Sequence, residues 1–121
     1  MAGRYSLAAL LALGVSYVNE MDKERALKTL ETWVKHNPQF AGLSPPPDPY
    51  SDGSPLDAVM QLMFAAQAVA PADPDVAVVL GVLYNVSRDY DSAIECLTAA
   101  TEARSDDYAL WNKLGATRAN G

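Results

Sequence analysis

The chain has 121 residues, and 50% of them are apolar, which suits one domain with a modest hydrophobic core. Nine basic and fifteen acidic residues give a formal net charge of −6. No cluster of Lys and Arg is available to neutralise phosphates, so this composition argues against a nucleic-acid partner. The charge suits a cytosolic protein and is compatible with a basic peptide ligand, without requiring one.

Chemically reactive residue types are scarce. Cys96 is the single cysteine and His36 the single histidine, so neither a disulfide within the chain nor a zinc site built from Cys and His can form. We interpret Cys96, on an apolar helical face, as a small buried thiol. We therefore expect no metal site and no cofactor.

The predicted elements are all helices. In chain order they cover residues 5–18, 22–36, 56–69, 74–86, 90–103 and 107–119. Carboxylates near two of the starts, Asp22 and Asp89, favour the helix dipole. The first stretch, MAGRYSLAALLALGV, also has features of a secretory signal, although it is too short to span a bilayer. Its glycine and aromatic spacing recurs later in the chain, which favours a helix of the folded domain.

A repeat organises these helices. LALGVSY (11–17), VVLGVLY (78–84) and WNKLGATR (111–118) align on their glycines, which are separated by 67 and then 34 residues. The first two glycines, Gly14 and Gly81, are each followed twelve residues later by alanine and sixteen residues later by leucine. This is the tetratricopeptide pattern, in which small residues lie where two helices of a hairpin approach each other.

The middle copy of the repeat is degenerate. Residues 45–55 hold five prolines, which exclude an ordinary helix there. We therefore predict an all-α, right-handed superhelix of hairpins with one hinge-like unit. Its parts are a first hairpin at 1–38, a degenerate repeat at 39–72 with a Pro-rich loop 39–55 and a helix 56–70, a second full hairpin at 73–106, and the first helix of a truncated repeat at 107–121.

The first helix of each hairpin should line the concave face of such a stack. The predicted inner positions are small apolar residues and asparagines: Ala8, Leu11, Val15, Val18 and Asn19; Asp75, Val78, Val82, Asn85 and Val86; Ala109, Asn112, Ala116, Ala119 and Asn120. An asparagine amide complements an extended peptide backbone. Asn19, Asn85 and Asn120 also fit a role as helix caps, whereas Asn112 lies inside a helix, where asparagine is mildly unfavourable.

No combination of residues typical of an enzyme is present. The chain has no glycine-rich phosphate loop and no Ser, His and Asp set, so we assign no catalytic residue. Recognition of another molecule is the function class that this pattern favours.

The motifs resemble those of one family in particular. LALGVSYVNE, LGVLYNVSRDYDSAIEC and especially DYALWNKLGATRANG are similar to segments of the peroxisomal import receptors that read C-terminal targeting signals of the Ser-Lys-Leu type. That family also carries a degenerate unit in the position of the Pro-rich stretch. Co-chaperone tetratricopeptide domains fit less well, because they grip a carboxylate with basic residues where this chain has Ala8, Leu11 and Val15.

The resemblance assigns roles to individual residues. Asn19 and Asn112 match asparagines that bind the backbone and the terminal carboxylate region of the signal peptide, and Lys113 matches the adjacent lysine. The other positions that match groove residues of the family are Val15, Val18, Asn85, Tyr90 and Asn120, to which the inner-face register adds Ala116.

This resemblance implies a fragment of a cytoplasmic receptor that cycles to the peroxisomal or glycosomal membrane. Its partners would be Ser-Lys-Leu-type peptides of cargo proteins and, through parts outside this chain, peroxisomal docking proteins. Because Trp111 lacks a following helix to pack on, we expect the last helix either to be frayed or to pack against another copy of the chain. A tetratricopeptide scaffold or co-chaperone module that binds another protein is the alternative.

Overall fold

The structure, a computed structural model, describes residues 6–40, 42–43 and 54–120, with Ala8 and Asn120 described by their backbone alone. It contains α1 (Leu7–Asn19), α2 (Lys23–His36), a short 3₁₀ turn (Pro38–Phe40), α3 (Pro55–Val69), α4 (Pro74–Val86), α5 (Tyr90–Ala103) and α6 (Tyr108–Asn120). No strand occurs within these described ranges, and the prediction of an all-α fold is confirmed. Most of the predicted Pro-rich loop lies outside the described residues.

Short polar side chains set the helix starts. The Asp22 carboxylate accepts from the Arg25 amide at 3.2 Å, and the Asp89 carboxylate accepts from the Ser92 amide at 3.3 Å. These bonds satisfy backbone donors that have no partner within the first turn of a helix. Pro55 is the first residue of α3 and Pro74 the first residue of α4, a position where the missing amide proton costs nothing.

The two full hairpins have matching turns. Met21 and Arg88, which lie 67 positions apart, take φ values of 62° and 65°. In each turn the next residue donates its amide back into the helix, from Asp22 to the Tyr17 carbonyl at 2.8 Å and from Asp89 to the Tyr84 carbonyl at 2.9 Å. The repeat seen in the sequence is therefore a repeat of backbone geometry as well.

The helices pack as hairpins around a continuous core. α1 packs on α2 and α4 packs on α5, while α3 lies between α2 and α4 as a single helix. Because no described helix is paired with α3, α1 reaches α4 directly. Large side chains fill the space between the hairpins, and Leu30, Trp33, Met63 and Leu83 are fully buried there.

Cys96 lies half-buried on α5. Burial, with smaller contributions from Glu95 and Asp89, raises the pKa of its thiol. The protonated form of Cys96 is therefore favoured, in keeping with a structural thiol. Among the helices described here, none is long and apolar enough to cross a membrane.

Candidate functional site

A groove of about 450 Å³ opens between α1, α4 and α6. We call it the inner groove. It is lined by Leu11, Ala12, Val15, Ser16 and Asn19 from α1; Asp75, Val78 and Val82 from α4; Leu97 and Arg104 from α5 and its C-cap; and Asp107, Ala109, Leu110 and Lys113 from α6 and its start. Seven of these residues are among the fifteen predicted inner positions.

The floor of the inner groove is apolar. Val78 and Val82 of α4 are buried, at 4% and 0% exposure, and Leu11 and Val15 of α1 pack half-buried against the same core. The valines are narrow side chains, which leaves space between α1 and α6. An apolar side chain of a ligand could be buried on this floor, out of contact with water.

Two of the predicted site residues meet across the inner groove. The Lys113 ammonium donates a hydrogen bond to Asn19 Oδ1 at 2.7 Å, joining α6 to α1. Burial lowers the pKa of Lys113, because the charged form loses hydration there. Within the described residues, no carboxylate forms an ion pair with this lysine. The groove therefore holds a half-buried cation whose partner is a neutral amide.

The opposite end of the inner groove carries charges that are already engaged. Arg104 and Asp75 form an ion pair at 2.6 Å between the C-cap of α5 and the first turn of α4. This approach lies off a hydrogen-bond direction, so Asp75 Oδ1 has no hydrogen-bond donor in the part of the chain described. Asp107 caps α6, accepting from the Ala109 amide at 3.1 Å. These groups shape the end of the groove.

The Asn85 side chain bonds to α6 and does not line the inner groove. Its Nδ2 donates to Thr117 Oγ1 at 2.9 Å and to the Gly81 carbonyl at 3.2 Å, and the Thr117 hydroxyl lies 2.8 Å from the Lys113 carbonyl, to which it donates. Thr117 is almost fully buried, at 1% exposure. In this structure the Asn85 amide fastens α6 to α4.

The remaining predicted site residues lie away from the groove lining. Val18 packs half-buried against the core, Tyr90 is half-buried at the start of α5, and Asn112 and Ala116 are exposed on α6. The side chain of Asn120 lies outside the described residues. The structure thus brings together Val15, Asn19 and Lys113 in the groove lining, and it does not place Val18, Asn85, Tyr90, Asn112 or Ala116 there.

Sequence reasoning missed several residues of this region, among them Arg104, Asp107 and Thr117. Arg104 and Asp107 line the groove, and Thr117 holds Asn85. Asp107 carried a usable signal, because an aspartate before a helix start is a common cap. Arg104 and Thr117 carried none, since their importance depends on which helix lies opposite them.

Comparison with known proteins identifies relatives over nearly the whole chain. It is 38% identical over 129 aligned residues to the "PEX5-related protein" of Mus musculus, an alignment that covers 96% of this chain and 23% of the relative. The "Peroxisomal targeting signal receptor" of Debaryomyces hansenii is 38% identical, covering 93% of this chain and 20% of the relative. The "Peroxisomal targeting signal 1 receptor" of Dictyostelium discoideum is 44% identical, covering 78% and 16%.

No protein-family model matches the chain. The chain spans about a fifth of the length of the curated relatives it matches. Their names are those of receptors rather than of enzymes. Over the segment that it spans, the chain belongs to the family of the peroxisomal targeting signal receptors.

Proposed function

We propose that this chain forms one part of the peptide-binding groove of a receptor for C-terminal targeting signals of the Ser-Lys-Leu type. The intact receptor would bind cargo in the cytoplasm and cycle to the membrane of a peroxisome or glycosome, engaging docking proteins through regions outside this chain. The activity is recognition without a chemical step.

The observation that carries the proposal is the Asn19 and Lys113 pair above an apolar floor. A C-terminal peptide offers a backbone, a terminal carboxylate and a last side chain. An asparagine amide can pair with the backbone, a lysine ammonium attracts the carboxylate, and the floor around Val78 and Val82 can bury the side chain. Each feature of the peptide therefore has a counterpart in the inner groove.

The other predicted site residues belong to the same proposal. Asn112 and Ala116 lie exposed on α6, beside Lys113 in sequence, and Tyr90 begins α5. Val18, Asn85 and Asn120 complete the proposed set, with Asn85 requiring release from Thr117 before its amide could face a ligand.

We expect this chain alone to bind weakly, because it supplies one side of a groove. A dissociation constant of about 1 mM corresponds to roughly −4 kcal/mol, which a few hydrogen bonds and one buried side chain can provide. Such an affinity would still be measurable at high protein concentration.

Fluorescence anisotropy of a labelled peptide ending in Ser-Lys-Leu tests the proposal. We expect saturable binding that an unlabelled peptide with a free carboxylate displaces and its C-terminal carboxamide does not. Asn19→Ala should weaken this binding, whereas Thr32→Ala, a substitution on α2 away from the groove, should not. Equal displacement by the acid and the carboxamide would contradict recognition of a C terminus.

A further inference from the structure

A hydrogen bond crosses the inner groove. It joins α1 and α6, two helices that share no extended interface. α1 packs on α2 and α4, and α6 packs on α5. The Lys113–Asn19 hydrogen bond connects α1 to α6 over 94 positions of sequence. Its 2.7 Å length is typical of a charge-assisted hydrogen bond. We call this bond the Lys113–Asn19 strap.

The strap occupies the acceptor that the proposed function requires. Asn19 has one side-chain oxygen, and the Lys113 ammonium is bonded to it. A peptide amide that approaches this oxygen meets a positive donor already in place. Lys113 takes one of the two lone pairs of this oxygen, so a peptide amide gains full access to the oxygen only after Lys113 has moved away.

An anionic ligand would draw the Lys113 ammonium away from Asn19. The ammonium is half-buried against a neutral amide, and no carboxylate pairs with it in the described segments. An anionic group of a ligand would be a stronger partner for this cation than the amide is. Arg104, the other cation of the groove, already forms an ion pair with Asp75 at 2.6 Å, so an anionic ligand would gain less by approaching it.

We infer that the Lys113–Asn19 strap closes the unliganded groove by holding α6 against α1, and that a ligand opens it when it replaces Asn19 as the partner of Lys113. The closure claim concerns the unliganded chain and stands independently of the ligand. The opening claim rests on the proposed function.

The spacing of α1 and α6 reports the strap directly. Spin labels at Ala9→Cys and Ala119→Cys, both exposed positions, in a Cys96→Ala background allow the distance to be measured by double electron–electron resonance. Without peptide, we expect a narrow distance distribution for the native groove and a broader, longer one for Lys113→Met. Lys113→Arg keeps a cationic donor and should retain the narrow distribution.

Two further variants make the test decisive. Asn19→Ala removes the acceptor and should reproduce the Lys113→Met distribution. If one of the two variants folds poorly, the other still tests the closure. Lys35→Met removes an exposed lysine that is paired only with Glu31 on its own helix, and it should leave the distance unchanged. Identical distributions in the native chain, Lys113→Met and Asn19→Ala would overturn the closure.

Adding the Ser-Lys-Leu peptide tests the opening. We expect the native distribution to shift toward that of Lys113→Met as the peptide saturates. A peptide that binds by anisotropy and leaves the distance unchanged would overturn the opening claim. A peptide that does not bind by anisotropy would instead count against the proposed function, and the closure would be judged from the unliganded distances.

Discussion

Leu30 of α2 lies directly over Gly14 of α1, so close that a Cβ atom built on the glycine would stand 2.5 Å from Leu30 Cδ2. Leu97 of α5 covers Gly81 of α4 in the same way, with its Cγ 2.7 Å from the corresponding Cβ. Both leucines are fully buried and have little room to withdraw. The glycines of the two full hairpins, Gly14 and Gly81, are thus explained by the helix that packs on each of them.

We predict that Gly14→Ala and Gly81→Ala destabilise the chain. The added methyl group would overpack a filled interface, which typically costs about 1–3 kcal/mol and outweighs the better helix propensity of alanine. Urea unfolding followed by circular dichroism measures the change. Gly115→Ala is the matched control, because a Cβ there would meet nothing within 4 Å, and it should be neutral or stabilising by up to about 1 kcal/mol.

In the hairpin turns, by contrast, we predict a substitution that stabilises the chain. Arg88 has a φ of 65°, a left-handed conformation that disfavours residues with a Cβ. Arg88→Gly should therefore stabilise the chain by about 0.5–1 kcal/mol, after allowance for the greater flexibility of glycine in the unfolded state. Ser87→Gly, one residue earlier with a φ of −82°, should destabilise instead. Equal effects of the two substitutions on the urea midpoint would argue against this turn geometry.

The contact between Asn85 and Thr117 should contribute to the docking of α6. Thr117→Val keeps the shape of the side chain but removes the hydroxyl that Asn85 bonds at 2.9 Å, leaving a partly buried amide without that partner. We expect a loss of about 1–3 kcal/mol in the free energy of unfolding. Thr32→Val removes a hydroxyl that bonds only its own helix, at 2.9 Å to the Lys28 carbonyl, and should cost much less.

Amide hydrogen exchange would localise that effect. In Thr117→Val the amides of α6 should lose more protection than those of α1 and α2, because α6 is the helix that the bond fastens. Uniform loss of protection along the chain would show that Thr117 acts on global stability alone.

The half-buried Lys113 leads to a prediction about pH. Its pKa in the folded chain lies below the ordinary value of 10.5, so between the two values the folded state binds fewer protons than the unfolded state. The free energy of unfolding should therefore rise with pH across that window through Lys113, and this contribution should vanish in Lys113→Met. Carbon-detected NMR of the Lys113 side chain gives the pKa itself; a value at or above 10.5 would contradict the burial of this ammonium.

Local sequence signals predicted most of the fold. The start of α2 followed from Asp22, and the recurrence of Gly14 at Gly81 predicted two equivalent hairpins, because caps and close helix contacts depend on neighbouring residues in sequence. Each of these features is fixed within one helix or one hairpin.

The candidate site was predicted less completely. The inner-face register identified Val15 and Asn19, but not that Asn19 would meet Lys113, since that contact depends on how α6 lies relative to α1. Asn85 illustrates the same limit, because its register points inward while its amide bonds Thr117. Contacts between repeats depend on small rotations of one hairpin relative to the next, and the sequence of a single helix does not determine those rotations.

The most direct test of the proposed receptor function is an amide-resolved NMR titration of this chain with a peptide ending in Ser-Lys-Leu, beside the same peptide as a C-terminal carboxamide. NMR suits an interaction in the range of about 1 mM, and it also reports which residues the peptide affects. The account predicts shifts concentrated at Val15, Asn19 and Lys113 that weaken strongly with the carboxamide. Shifts that fall outside the inner groove, or that are equal for both peptides, would contradict it.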